Sequence, residues 1–397
     1  MTFANVNLWG ERIGVVSVER PGATPVFQYT EEFARSGFEL SPIAMPLASQ
    51  PYTFPELARI ESFDGLPGLL ADSLPDKWGR TLVDEWLDAQ NRSRESFDVV
   101  ERLCHIGSRG MGALEYEPST GPQATSAEDL EVGGLVELAN DVLSGRSEFA
   151  TQLSGEATEK QLLQLLSIGT SAGGARPKAV IAYNEANGQV RSGKIDAGDG
   201  FGYWILKFDG VAKSGDHGLI DPQGWGAVEY AYALMAQAAG IEMTECRLLS
   251  EGSRRHFMTR RFDRTQQGEK LHVQTVAALE HIDYNVPGRY SYEGVADLAR
   301  ELGLGVTTTE ELYRRMVFNV VARNQDDHVK NFAFTMDRGG QWRLSPAYDI
   351  TWACKPGNRW LKAHQLSING KRDDFTREDL YAFARAAGLK RGRDRTI

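Results

Sequence analysis

The sequence predicts an α+β protein in which short strands dominate the first two thirds of the chain and helices dominate the end. Short alternating apolar patterns open the sequence, and two apolar runs at residues 179–183 and 203–208 read as buried strands. After residue 273 the apolar residues recur at helical spacing, most clearly at 309–321. We therefore expect a β-rich part followed by a mainly helical part.

Composition narrows the class of protein. The 397 residues are 41% hydrophobic and 25% charged, which suits two or three domains with real cores. A net charge of −10 argues against a protein that wraps nucleic acid by itself. The three cysteines form no C-x-x-C pair, and neither a leader-like N-terminus nor a run of 18 apolar residues is found. These features predict a cytoplasmic protein without a membrane segment.

The first 118 residues read as an α+β unit. Alternating patterns at 6–9, 12–18 and 25–29 predict a β-meander. Helical patterns follow at 77–90 and 96–104, and the segment 72–76 reads as a turn between helices. Small and polar residues at 117–130 then mark a connection, so we place a domain boundary at residue 118.

A second unit, 119–264, contains a glycine-rich segment directly before a strand. Helical patterns at 130–143 and 158–166 lead into it, and Gly173 and Gly174 can aim successive backbone N–H groups at a phosphate. The Walker pattern G-x-x-x-x-G-K-[ST] is absent. Taken alone, two such glycines more often form a hairpin turn.

Lys207 ends the apolar strand at 203–208, where a lysine needs an anion or solvent. In kinases that anion is a nucleotide phosphate, and a helix glutamate is the second partner. Glu229, near the start of the helix predicted at 225–239, could take that place or be an ordinary first-turn acid. The strand at 256–264 ends in a charged turn. There Phe262 would lie near adenine if the turn were a kinase hinge, and otherwise the strand is a solvated sheet edge.

The third unit, 265–397, is predicted to hold helices at 273–282, 292–302, 309–321 and 376–389. After the third of these, Asp326 and Asn331 have the spacing of a catalytic aspartate and a Mg²⁺-binding asparagine in kinases. A hairpin formed by 332–335 and 341–344 would deliver Asp349 as a second metal ligand. The alternative is a helix-terminating turn with Lys330 as a solvated charge.

Taken together, five segments occur in an order that resembles the HipA family of serine/threonine protein kinases. They are 171–178, 204–207, 261–264, 326–331 and 345–350. Segments 65–76 and 106–113 are similar to that family's leading domain. The resemblance implies a two-lobed protein-kinase-like fold, with an extra N-terminal subdomain, a β-rich N-lobe and an all-helical C-lobe.

The resemblance also implies roles for individual residues. Asp326 would be the catalytic base, Asn331 and Asp349 the Mg²⁺ ligands, and Lys330 a contact to the γ-phosphate. The expected ATP-binding residues are Ser171, Ala172, Gly173, Gly174, Ala175, Lys178, Lys207, Arg261 and Phe262. Ser171 matches the family's autophosphorylated serine, and a phosphate there would repel those of ATP.

By the same resemblance, the cofactors are ATP and Mg²⁺ and the substrate is a protein of the translation apparatus, such as an aminoacyl-tRNA synthetase. The expected partner is a HipB-like DNA-binding antitoxin, through which alone the chain would reach DNA. The sequence departs from the family at Arg260 and at Gln274 and Thr275, where relatives often carry acids. Two other classes stay open: a catalytically silent binding module that acts as co-repressor, and a metal-dependent phosphohydrolase using Asp326, Asp327, His328 and Asp349.

Overall fold

The computed structural model describes residues 1–122, 129–144, 156–169, 176–194, 197–211, 223–265 and 267–396. The strands are β1 Thr2–Leu8, β2 Glu11–Val18, β3 Val26–Tyr29, β4 Leu114–Glu117, β5 Lys178–Asn184, β6 Val190–Ser192, β7 Phe201–Lys207, β8 Cys246–Glu251, β9 Arg254–Arg260, β10 His272–Thr275, β11 Ala333–Met336 and β12 Trp342–Leu344. The α-helices are α1 Glu31–Ala34, α2 Gly68–Ala71, α3 Lys77–Ala89, α4 Val99–Ile106, α5 Val132–Ser144, α6 Glu156–Gly169, α7 Trp225–Ala238, α8 Val276–Glu280, α9 Tyr292–Glu301, α10 Val306–Val321 and α11 Arg377–Ala386.

The N-terminal part is built on an antiparallel sheet with strand order β3-β2-β1-β4. The first three strands are the predicted meander, which is thereby confirmed. Helix α4 covers the sheet, and its start is fixed by a capping box in which Asp98 and Glu101 each accept from the other's backbone N–H. The side chains between sheet and helix form one apolar core.

The middle part is an antiparallel sheet with strand order β6-β5-β7-β9-β8. Helices α5 and α6 share one core with it, as does α3, which lies within the first 118 residues. Trp78 on α3 donates its indole N–H to the carbonyl of Lys178 at 3.1 Å. The N-terminal part is therefore fastened to the sheet that carries the predicted nucleotide-binding lysines.

The last part is mainly helical. In α9 the buried residues Tyr292, Val295, Ala296, Leu298 and Ala299 recur at helical spacing, and they pack against α10 and α11. A three-stranded antiparallel sheet, β10-β11-β12, lies beside these helices, so this part is not all-helical as predicted. Strands β11 and β12 form the predicted hairpin, and β10 is the third strand of the sheet.

Strand β10 occupies the first residues of a helix predicted at 273–282, so the start of that predicted helix was wrong. The helix expected at 273–282 begins only at Val276, because Gln274 and Thr275 pair with β11. The Thr275 hydroxyl then accepts from the backbone N–H of Ala278 as the N-cap of α8. Apolar residues spread over a strand and a short helix mimic a single helical pattern.

Helices α2 and α8 join the first part to the last at very short range. A Cβ atom on Gly68 would come within 1.9 Å of the carbonyl oxygen of Ala278, so only glycine fits there. The Gly68 N–H donates to Nε2 of His281 at 2.9 Å. Among the helices described, none has the length and apolar character needed to cross a membrane.

Candidate active site

Asp326 follows α10 in a loop that holds its carboxylate at the surface. The side-chain amide of Asn331 donates to the backbone carbonyl of Asp326 at 2.7 Å, which closes the loop. The indole N–H of Trp360 donates to Asp326 Oδ1, also at 2.7 Å. The Asp326 side chain remains about one third exposed, at 33%. One carboxylate oxygen is thus fixed while the group still reaches solvent.

The neighbouring Asp327 is buried, and its carboxylate holds distant parts of the chain together. Its carboxylate accepts from the Tyr292 hydroxyl and the backbone N–H of Gln365, and it contacts Nδ1 of His364, each at 2.7 Å. Burial would raise the pKa of Asp327, but His364 and these hydrogen bonds lower it below its ordinary value. The Asp-Asp pair therefore divides into an accessible carboxylate and a structural one.

Lys207 at the end of β7 contacts two carboxylates. Its Nζ lies 2.5 Å from Glu229 Oε1 on α7 and is bonded to Asp349 Oδ1, so the predicted pairing with Glu229 is confirmed. Burial would lower the pKa of Lys207, but the two carboxylates raise it above its ordinary value. Glu229 is a buried partner of this lysine and not simply a first-turn acid.

Asp349 has a backbone φ of +54°, in the left-handed region. Burial alone would raise its pKa, but Lys207 and then Lys178 lower it to about 2, so the carboxylate is charged at neutral pH. Together with the amide oxygen of Asn331, it offers the hard oxygen donors that suit Mg²⁺. Among the described residues there is no group of three or more His, Cys, Asp or Glu side chains that could hold a metal.

Lys178 lies opposite Lys207 in the antiparallel register of β5 and β7, with both side chains on one sheet face. It is buried, and its Nζ lies 2.8 Å from Oδ2 of Asp76, the N-cap residue of α3. Burial raises the pKa of Asp76 although Lys178 lowers it. Asp76, from the N-terminal part, is thus the ion-pair partner of Lys178, as Glu229 and Asp349 are of the adjacent Lys207.

Lys330 lies in the loop that follows α10, close to Asp72 and Asp76 of the N-terminal part. Burial lowers its pKa, and the nearby negative charge of Asp72 opposes that shift. The Asp72 carboxylate also accepts from the backbone N–H of Thr275 at 2.7 Å and from its hydroxyl at 2.9 Å. The Lys330 ammonium is 5.1 Å from the ring centroid of Tyr284.

The predicted hinge residues have different surroundings. The Arg261 side chain is buried and binds Asp263 through two N–H···O contacts of 2.8 and 2.7 Å. The Phe262 ring stacks on Tyr348, with centroids 5.4 Å apart. Asp263 also accepts from the backbone N–H of Gly112 at 2.7 Å, so a loop of the N-terminal part holds this turn.

The structure thus joins Asp326 to Asn331 in one loop, and Asp349 to Lys207 and Lys178. Lys330 approaches the second group through Asp76, the partner of Lys178, and Arg261 and Phe262 lie at the turn after β9. The predicted residues Ser171, Ala172, Gly173, Gly174 and Ala175 lie outside the described residues. Asp72, Asp76 and Trp360 also contact these residues, although none of the three was predicted as a site residue. The only available signal was that two of them flank a turn with the pattern Asp-x-x-x-Asp.

Comparison with protein families gives matches over most of the chain. A family model described as the HipA-like C-terminal domain matches residues 170–397. A second, described as the HipA N-terminal domain, matches residues 4–117. A solved chain from the Shewanella oneidensis MR-1 complex of HipA, HipB and operator DNA aligns with a TM-score of 0.68 at 18% identity, covering 99% of this chain and 86% of that chain. This likeness shows a shared kinase-like fold.

Two curated relatives are similar over shorter stretches. A Sinorhizobium fredii protein named "Putative kinase Y4dM" is 27% identical over 165 residues, which is 38% of this chain and 37% of the relative. A Haemophilus influenzae protein named "Putative kinase" is 26% identical over 135 residues, covering 31% of this chain and 39% of the relative. The chain spans less than two fifths of the length of either relative.

Proposed function

The chain belongs to the HipA family, and on that premise we propose that it is an ATP- and Mg²⁺-dependent serine/threonine protein kinase. The observation that supports the proposal most is the contact of Lys207 with both Glu229 and Asp349. The three residues come from a strand, a helix and a loop far apart in sequence. A lysine held by a helix glutamate next to an acidic metal ligand is the arrangement that phosphoryl transfer from ATP needs.

In this proposal each residue has one task. Asp326 orients the acceptor hydroxyl and takes its proton, with Trp360 holding the other side of the carboxylate. Asn331 and Asp349 hold Mg²⁺, and Lys207 binds the nucleotide phosphates. When bound, Mg-ATP supplies the phosphoryl group and the cation that neutralises it.

The remaining predicted residues would enclose the nucleotide. Lys330 contacts the γ-phosphate, and the lowered pKa of this lysine reflects how little water reaches it. Phe262 lies near the adenine, and Arg261 supports the turn through Asp263. A phosphate-binding role for the glycine-rich segment 171–175 is part of the same proposal, and Lys178 lies on the same sheet face as Lys207.

We extend the proposal to the partners. The kinase phosphorylates a protein of the translation machinery, such as an aminoacyl-tRNA synthetase, and itself at Ser171. A HipB-like antitoxin restrains it, as suggested by the solved complex of a HipA with HipB and operator DNA. A net charge of −10 suits an acidic chain that reaches DNA through a basic partner.

The test is intact-mass spectrometry after incubation with ATP and Mg²⁺. The natural protein should gain one phosphate, and both Asp326→Asn and Ser171→Ala should gain none. Asp374→Asn is the matched control, because Asp374 is exposed and outside the site. If the natural protein gains no phosphate and binds no ATP, the kinase proposal fails and the silent binding module takes its place.

A further inference from the structure

A stretch of the chain next to the site carries only positive charge. Residues 350–372 contain no Asp or Glu, although the whole protein has a net charge of −10. Within this stretch we call residues 355–362 the basic loop. Its three cations, Lys355, Arg359 and Lys362, are exposed, and among the described residues none of them has an ion-pair partner.

The basic loop is folded back on itself. The backbone N–H of Lys355 donates to the carbonyl of Leu361 at 2.9 Å, which closes the loop at its base. The side-chain oxygen of Asn358 accepts from the backbone N–H groups of Trp360 and Leu361 at 2.8 and 2.9 Å. Because the loop backbone is already ordered, binding adds no cost for ordering that backbone.

The same loop is fixed directly on the catalytic carboxylate. Trp360 is buried, donates to Asp326 and packs with Leu361 and Ala353 in a small apolar cluster. Ala353 in turn forms a β-bridge with Asn324, at the start of the loop that holds Asp326. The Ala353 N–H donates to the carbonyl of Arg323 at 3.2 Å. Arg323 is exposed and adds a fourth cation at this place.

Two acids near this surface are Asp326 and Asp283. Asp326 is the proposed catalytic base, and Asp283 lines a neighbouring depression together with Tyr284, Arg289 and His328. Arg289 is exposed and offsets the charge of Asp283. The surface around the basic loop therefore keeps an excess of positive charge where an acceptor side chain would approach Asp326.

We propose that the basic loop and Arg323 dock an acidic segment of the protein substrate, next to the serine or threonine that is phosphorylated. This inference rests on the kinase function proposed above and adds the class of substrate to it. A protein segment fits better than a nucleic acid, because wrapping nucleic acid takes roughly six to ten phosphate contacts and these four cations lie on an acidic chain. Charge patterns of this kind distinguish one kinase substrate from another.

The test measures binding of two fluorescent peptides that share a central serine and differ only in acidic or basic flanks. The natural protein should bind the acidic peptide roughly tenfold more tightly at low salt, and added salt should weaken this binding. The variant Lys355→Glu/Arg359→Glu/Lys362→Glu should reverse the preference. The matched control Arg20→Glu/Lys390→Glu/Arg391→Glu makes the same charge change at exposed positions elsewhere and should keep it.

Equal binding of both peptides by the natural protein would overturn the inference, as would an equal loss of acidic binding in the control variant. The variant Lys355→Gln/Arg359→Gln/Lys362→Gln removes the positive charges without adding negative ones. It should lose the preference for the acidic peptide without reversing it, whereas a misfolded loop would not distinguish the Gln and Glu variants. The peptide measurement needs no ATP and is therefore independent of catalysis. Acidic binding without phosphate transfer would refute only the kinase function, and transfer to Ser171 without peptide preference would refute only the docking surface.

Discussion

Asp326 and Asp327 are adjacent in the loop after α10 but differ in burial, and burial decides what each can do. Asp326 is partly exposed and accepts one indole N–H, whereas Asp327 is enclosed and has three polar partners. A carboxylate that is already saturated with donors cannot take a proton from a substrate. The sequence pattern Asp-Asp-His cannot tell the two residues apart, because the difference arises from Tyr292, Gln365 and His364, all distant in sequence.

At this scale we predict that Asp327→Asn lowers the free energy of unfolding by roughly 2–4 kcal/mol. The single NH2 group of an amide would face either the Gln365 N–H on one side or Tyr292 and His364 on the other, and it would leave a buried donor there unpaired. Asp326→Asn should change stability by less than about 0.5 kcal/mol. Urea unfolding of both variants measures this, and equal losses in the two would show that Asp327 has no special structural role.

At the scale of elements, two neighbouring strands place two lysines on the same face. Like charges at opposite positions of a sheet repel, so each lysine needs its own acid. Glu229 on α7 and Asp349 after β12 serve Lys207, while Asp76 at the start of α3 serves Lys178. Five elements therefore meet in one ionic cluster.

The pair of Asp76 and Lys178 can be tested by a double-mutant cycle. Asp76→Asn keeps the N-cap hydrogen bond to Gly79 but leaves Lys178 buried without its carboxylate, so we expect a loss of about 3–5 kcal/mol. Lys178→Met should cost a similar amount because Asp76 is left unpaired. The double variant should cost clearly less than the sum. Additive losses in unfolding free energy would mean that the pair contributes no coupling.

The elements themselves were largely predictable, since the meander, the strands that carry Lys178 and Lys207, and α10 all have clear apolar periodicity. The sequence could also indicate the pairing of Lys207 with Glu229, because both residues lie at element ends where a kinase fold needs them. Asp76 and Asp72 could not be found in this way. Their contacts with Lys178 and Thr275 span 102 and 203 positions, and no local pattern encodes such a distance.

At the scale of the whole molecule, three histidines are buried or half-buried in different parts of the fold: His105, His272 and His281. Burial lowers the pKa of His105 to about 3 and those of His272 and His281 to about 4. His281 accepts from the Gly68 N–H and so joins the first part of the chain to the last. These rings stay neutral in the folded protein at pH values where the unfolded chain binds protons.

We therefore expect the free energy of unfolding to fall between pH 6.5 and 5, by up to about 1.4 kcal/mol per pH unit for each of these histidines. Stability falls in this direction because the pKa of each histidine is lower in the folded than in the unfolded state. As the pH drops below 6.5, the unfolded chain therefore binds protons before the folded protein does. The buried carboxyls Asp72 and Asp76, whose pKa values are raised, act in the opposite direction.

The variant His105→Phe isolates one of these contributions. His105 packs between Trp86 and Phe97, and neither ring nitrogen has a hydrogen-bond partner in the part of the chain that the structure describes, so phenylalanine should fit. Urea unfolding at several pH values should show a shallower decline for this variant than for the natural protein. Parallel curves would mean that His105 is already protonated in the fold.

The contact between Asp76 and Lys178 also bears on how such a protein evolves. The segment that matches the C-terminal family model contains Lys178 and Lys330, but the acids nearest to them, Asp76 and Asp72, belong to the leading segment. A recombination event that exchanged the leading segment for an unrelated one would remove the acid nearest to each of these two lysines. Selection on the lysines of the site therefore favours inheriting the two segments together. The same selection preserves the turn at 72–76, although no sequence pattern connects that turn to the site.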